Sequence, residues 1–248
     1  MMFEAQTEWI APDNFPDLSG YKLISIDLET RDPDLKSKGS GAVVGNGEII
    51  GVAVAVDGWC KYYPFGHEGG GNLDKKRILS WLTDVCATKA TKIFHNAMYD
   101  VCWLRSYGIK INGHIMDTMV MASLVDENRM RYTLNALSWE YLGERKNEST
   151  LIEVAKNWGI DAKAELYKLP AIYVGEYAEK DASLTLDLFK RLSFQIRKDN
   201  LTEIFDLETQ LFPCLVDMKF KGVRVDIEKA HQLKQRLLEQ EKGLLQEI

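Results

Sequence analysis

Cysteine is scarce and poorly placed for cross-linking. The four present, Cys60, Cys86, Cys102 and Cys214, stand far apart, form no CxxC pair and have no histidine at zinc-finger spacing. Neither a disulfide framework nor a structural zinc is indicated, and reduced, mostly buried thiols are expected. Proline and glycine are also few, 6 and 18 of 248 residues, while 46% of residues are apolar. That balance excludes fibrous and disordered chains. No apolar run approaches the ~18 residues of a membrane span, and the opening MMFEAQTEWI lacks a basic-then-apolar leader pattern, so a soluble intracellular protein is expected. Positive charge is in deficit, with 31 Lys plus Arg against 37 Asp plus Glu, a formal net charge of -6. On its face this argues against a protein that coats nucleic acid, whose usual footprint is basic. The placement of the acids matters more than their number.

What is present is regular patterning. Residues 1–20 are polar with Pro12 and Pro16 and read as an irregular lead-in. Tyr21–Thr30 (YKLISIDLET) reads as a strand, and Gly47–Phe65 as two strands meeting at the hairpin signal Asp57-Gly58. The polar, Gly-rich stretch RDPDLKSKGSGAVVGN between them reads as a loop. Asp74 opens a helix with apolar residues at 78, 79, 81, 82, 85 and 86, and TKIFHNA is a further short strand from Thr91. A helix around Met98–Tyr107, an extended segment at Ile109–Met116 and several helices to Asn200 follow, with Pro170 opening the longest. The pattern predicts an α/β domain, a mixed sheet with helices packed on it. After residue 200 come a helix, a short KGVRVD segment and an amphipathic helix from Ile227 whose stripe (Leu233, Leu237, Leu238, Leu244, Leu245) has nothing after it to cover it.

The informative residues are acids in apolar company. Asp27 and Glu29, at i and i+2 of LISIDLET, project from one face of their strand, where two carboxylates repel unless one is protonated or a cation neutralises both. The alternative is that the strand ends near Ile26 and both acids are solvated. Asp100 follows the strand of FHNAMYD in the first turns of a helix, a place where acids also serve the helix dipole. Asp181 and Tyr177, one turn apart in YAEKD, lie on or beside the stripe Val174, Ala178, Leu184, Leu188, so Asp181 should face the sheet. If the four acids converge they form an all-oxygen site, suited to Mg²⁺ or Mn²⁺ rather than zinc. Two such ions clamp an in-line attack on a phosphodiester, and Tyr177 with Glu29 is placed to hold the attacking water.

In that order, IDLET, HNAMYD and YAEKD resemble the three motifs of the DnaQ-like 3′-5′ exonucleases. The branch is the tyrosine-containing (DEDDy) one; the histidine branch needs histidine at position 176, where this chain has Glu176. DTM (Asp117–Met119), TLNALSWEYLG near 133–143 and ETQLFPCLVDMKFKGVRVD near 208–226 extend the likeness to the proofreading exonuclease of family A (DNA polymerase I-like) DNA polymerases, particularly phage members. The resemblance implies a ribonuclease H-like fold, a five-stranded mixed sheet with helices on both faces. It implies two Mg²⁺ or Mn²⁺ ions, with Asp27 bridging both, Glu29 and Asp181 completing one site and Asp100 holding the other, while Thr30 and Asn96 help hold the 3′-terminal nucleotide. Its partners would be a single-stranded or frayed DNA 3′ end and a polymerase domain in cis or in trans, with no membrane, in the cytoplasm of a bacterial or phage-infected cell. The exonuclease would span 21–200, with 201–248 a helical linker toward a polymerase thumb; palm and fingers motifs are absent from these residues. Alternatives are a ribonuclease D-like RNA-trimming enzyme, which shares the motifs, and a non-catalytic module that docks a polymerase.

His67, His95, His114 and His231 are scattered and read as packed or solvated, although His95 adjoins Asn96. KSKGSG and HEGGG fit no phosphate-loop fingerprint and read as mobile surface loops. Tyr99 and Trp103 read as core.

Overall fold

In the computed structural model, which describes residues 7–146 and 148–247, two compact units divide between Val216 and Asp217. The first is built on one sheet of five strands: β1 (Leu23–Arg31), β2 (Glu48–Val56), β3 (Trp59–Pro64), β4 (Thr91–Phe94) and β5 (Ile115–Asp117). Their order is β3-β2-β1-β4-β5, so β1 is central, antiparallel to β2 and parallel to β4. β2 and β3 meet at Asp57-Gly58 as the hairpin signal predicts, with Gly58 at φ 77°, a conformation that glycine adopts at little cost.

The segment expected as a plain loop after β1 holds two single-turn helices, α1 (Leu35–Lys38) and α2 (Gly41–Val44). Local carboxylates organise them: Asp32 accepts from the Gly41 N–H, and Asp34 accepts from Lys38 Nζ and Asn46 Nδ2. Next come α3 (Lys75–Ala87), whose Asp74 accepts from the Arg77 N–H as a side-chain cap, and α4 (Ala97–Ser106). After β5 lie α5 (Thr118–Val125), α6 (Leu134–Leu142), α7 (Ser149–Trp158) and the long α8 (Gly175–Lys198). The longest helix therefore starts at Gly175 and not at Pro170, which instead introduces a 3₁₀ turn at 171–173. Gly175 is required there, because a Cβ would stand 2.0 Å from the Trp9 ring.

Trp9 belongs to the lead-in, which has no regular elements over residues 7–20 yet is pinned to the domain. Trp9 Nε1 donates to Glu179, Trp81 Nε1 to the Pro16 carbonyl and Tyr63 Oη to the Asn14 carbonyl.

Both faces of the sheet are covered. On one, Ala53, Ala55, Tyr62 and Ile93 form a core with α7 and with Ala178, Ala182 and Leu186 of α8. Ile24, Ile26, Leu28, Val52 and Val54, pointing the other way by strand alternation, are buried as well. Helix α9 (Thr202–Lys221) runs through the division between the units, and residues 227–247 of the second unit form α10, which leaves Leu233, Leu237, Leu238, Leu244 and Leu245 exposed.

Candidate active site

Strand alternation places Ser25, Asp27 and Glu29 on one face of β1, and their partners across the β1–β2 pair are Ala55, Ala53 and Gly51. Three small residues opposite them let α8 come close to this part of the sheet. At Gly51 the space is filled by Tyr62, whose hydroxyl would lie 2.1 Å from an added Cβ. Tyr62 Oη pairs with His67 Nε2 at 2.7 Å, and His67 Nδ1 lies 2.9 Å from the Leu169 carbonyl. A carbonyl only accepts, so Nδ1 carries the proton and Nε2 accepts from tyrosine. The HEGGG segment is thus anchored through a buried histidine, contrary to the expectation of a mobile surface loop. The strand bulges between Glu29 and Thr30, ending the regular ladder just past the two acids.

Asp100 enters from α4. Parallel pairing of β1 with β4 reaches only Ser25, and beyond it the Leu28 N–H donates to Asp100 Oδ1 at 3.0 Å. The start of α4 is set by Asp117 at the end of β5. Its carboxylate accepts from the N–H groups of Asn96 (3.0 Å), Ala97 (2.8 Å) and Met119 (2.8 Å), fastening the αL residue Asn96 (φ 63°) and the first turn that leads to Asp100. The sequence marks Asp117 only by its DTM motif; its span to α4 depends on β5 lying beside β4.

Helix α8 supplies Tyr177 and Asp181. Asp181 is 4% exposed and faces inward, as its place on the apolar stripe requires. Its Oδ2 forms an ion pair with Lys146 Nζ, whereas Oδ1 is buried with no hydrogen-bond partner among the described residues. The Lys146 ammonium also stands 5.0 Å from the centre of the Tyr177 ring. Nothing in GERKNE marks Lys146, since a charged run between two helices reads as a solvated connection.

The electrostatics show these side chains to be near neighbours. Burial, then the charge of Asp181, raises the Asp27 carboxyl to about 7, with Lys146 opposing. Burial raises Glu29 well above its ordinary value, helped by Asp27 and Asp181. Asp100 is raised by burial and by Asp27, against the Leu28 N–H. The Tyr177 phenol is pushed far up by burial and by Asp181, Glu29 and Asp27, so it keeps its proton at any physiological pH. Asp27 and Glu29 are nonetheless only half-buried, while Asp100 and Asp181 are each 4% exposed.

The donor set suits a hard divalent cation. Every candidate ligand is a carboxylate, the acids raise one another's pKa, and one buried carboxylate oxygen has no partner among the described residues. Among the described residues no three such side chains are already assembled around a common point. Thr30 Oγ1 bonds Tyr99 Oη at 2.6 Å beside the bulge, and the exposed Asn96 lies at the start of α4. His95 turns inward, with Nδ1 2.8 Å from Thr118 Oγ1, and does not present itself to a substrate.

Comparison with known proteins bears on the family and the fold. The 3′-5′ exonuclease model of the DNA polymerase A type matches residues 5–197. A DNA-directed DNA polymerase of Pseudomonas phage M6 is 33% identical over 98% of this chain, which spans 38% of that polymerase. Two solved structures share the fold at 18% identity. One is the POL domain of Pol1 from M. smegmatis with primer-template and dNTP (TM-score 0.62, 91% of this chain and 33% of that one). The other is Brucella melitensis NrnC with bound Mg²⁺ (TM-score 0.60, 86% and 92%).

Proposed function

Because the chain belongs to the 3′-5′ exonuclease family of the family A DNA polymerases, we propose that Asp27, Glu29, Asp100 and Asp181 hold two Mg²⁺ or Mn²⁺ ions for hydrolysis at a DNA 3′ end. The observation that carries the reading is that these acids, drawn from β1, α4 and α8, act on one another's charge beside Tyr177. Bound divalent ions supply a water of lowered pKa and neutralise charge at the phosphodiester.

The rest is work for the chain's own groups. Asp27, whose charge is felt by Glu29, Asp100 and Tyr177, would serve both ions. Asp181 and Glu29 would complete one site and Asp100 the other. Tyr177 keeps its proton and so offers a hydroxyl to orient the attacking water, with Glu29 as the second partner. Thr30 and Asn96 would hold the terminal nucleotide.

The substrate is a single-stranded or frayed DNA 3′ end, and the chain is the proofreading part of a polymerase whose polymerising domain lies in cis or in trans. The matched relatives include whole polymerases, and the chain spans 38% of the phage one. Among the described residues no helix is long and apolar enough to cross a membrane.

The test is release of mononucleotides from matched DNA and RNA oligonucleotides with Mg²⁺ or Mn²⁺. Wild type should degrade the DNA strand, and Asp27→Ala and Asp181→Ala should not. No release by wild type from either strand defeats the reading; a preference for RNA moves it to the ribonuclease D-like alternative. Tyr177→Phe should slow turnover roughly 100-fold with metal affinity unchanged.

A further inference from the structure

We propose that Lys146 is a resident cation of the acidic cluster, one that a divalent ion must displace from Asp181 and that thereby sets the affinity for metal. The inference rests on the reading of the cluster as a divalent-ion site.

Three observations carry it. Lys146 and Asp181 are paired with only 11% and 6% of their side-chain surfaces exposed, so this is a buried ion pair and not a surface contact. The same ammonium acts on Asp27 and Glu29, lowering the pKa of each against burial, and therefore compensates three of the four acids. A divalent ion bound to Asp181 and the Lys146 ammonium would be like charges in one poorly solvated space, and that repulsion favours one or the other.

The lysine sits where it can leave. It lies between α6 and α7 in a connection that begins at Gly143, in the left-handed region at φ 72°. Among the described residues, side-chain ties of this connection lie at the surface or are long, and Arg145 sits over the Trp139 ring at 4.1 Å. Glu144 pairs with Lys180 at the surface, Glu148 pairs with Lys163 at 3.6 Å, and the Lys146 N–H meets Asn135 Oδ1 at a long 3.4 Å. Glu144–Lys180 and Lys146–Asp181 engage adjacent residues of α8, so the first pair can retain the connection while the second opens. The lysine thus lowers the cost of gathering carboxylates in the metal-free protein, and competition with it weakens metal binding.

The experiment is Mn²⁺ titration of the full chain by calorimetry, for wild type, Lys146→Met, Lys146→Arg and Asp27→Ala. Lys146→Met should bind Mn²⁺ about tenfold tighter or more, because one competing charge is gone, and Lys146→Arg should stay near wild type. The metal-free Met variant should melt below wild type, and saturating Mn²⁺ should close the gap. Equal or weaker Mn²⁺ binding by Lys146→Met overturns the proposal. Should that variant fail to fold, hydrogen exchange on wild type decides: amides of 144–148 should exchange faster once Mn²⁺ is added, and unchanged or slower exchange overturns it. The underlying site reading is judged separately. Mn²⁺ binding by wild type that Asp27→Ala abolishes upholds that reading whatever Lys146 does, and absence of binding in every variant defeats both.

Discussion

The Leu28 N–H donates to Asp100 Oδ1 at 3.0 Å, so a candidate metal ligand on α4 also completes the backbone hydrogen bonding of the strand that carries two others. One carboxylate therefore has two duties. It holds β1 in place where pairing with β4 has stopped, and it joins a cluster of acids whose charges oppose one another.

Asp100→Asn and Asp100→Ala separate those duties. Asparagine keeps an oxygen for the Leu28 N–H and removes a charge that burial disfavours. Its melting temperature should equal or exceed wild type in metal-free buffer, while nucleotide release falls roughly 10³-fold, or about 4 kcal/mol. Alanine leaves the Leu28 N–H without an acceptor and should cost about 1–3 kcal/mol of stability as well. Identical melting of the two variants in calorimetry would remove Asp100 from the fold and leave it only in the site.

Asp117 anchors the helix that carries the candidate ligand Asp100. Asn96, at the start of α4, makes no side-chain cap of its own, and the N–H groups of Asn96 and Ala97 go to Asp117 instead. Asp117→Ala should lower stability by roughly 2–4 kcal/mol and let the first turn of α4 drift. Where the variant is still folded, turnover should fall about 10–100-fold, the range seen when groups that orient ligands are lost. Steady-state kinetics run well below the melting temperature check this, and full activity there would show that α4 needs no such anchor.

The parts of this site that sequence makes legible are those carried by a single element. Period-two alternation alone puts Asp27 and Glu29 on one face, and the stripe on α8 alone turns Asp181 inward. Features that require two elements to meet are hidden. Asp117 reaches α4 only because β5 pairs beside β4, and Lys146 reaches Asp181 only because the α6–α7 connection folds back on α8. Local side-chain chemistry hides others: Asp32 and Asp34 fold a Gly-rich stretch into two short helices. At α8, the Trp9 ring packed against Gly175 accompanies a helix start five residues after Pro170.

His67 makes stability depend on acid. Burial lowers its pKa from 6.5 to about 4, and its neutral form is fixed between Tyr62 and the Leu169 carbonyl. In the unfolded chain it takes up a proton near its ordinary pKa, so the native state binds fewer protons between those values. Its contribution is complete above about pH 6.5 and is lost as pH falls toward 4, at most roughly 3 kcal/mol at 1.36 kcal/mol per unit. His95, also lowered to about 4 by burial, adds to the same trend. Denaturant unfolding from pH 7 to pH 4 should show the loss, and His67→Gln should shrink it by about one histidine's share. An unchanged pH slope in that variant would contradict the assignment.

Lys92 is the test of how far a buried charge can be structural. Its side chain is wholly buried at the start of β4, and Nζ donates among four oxygens: the Thr88, Ala90 and Asn112 carbonyls and Thr88 Oγ1. The ammonium gathers two turns whose carbonyls would otherwise face one another, and the closeness of those turns shows at Gly113, where a Cβ would meet the Ala90 oxygen at 2.5 Å. Lys92→Met keeps the stem's packing and removes the donors. Because the carbonyls then stay buried without partners, the loss should be roughly 2–4 kcal/mol, or about 5–15 °C in melting temperature. Asn96 and Asp100 follow the other end of β4, so exonuclease rate at low temperature should be unaffected. A drop under about 2 °C would mean that water replaces the ammonium at no cost, and a loss of rate beyond the loss of fold would tie Lys92 to the site.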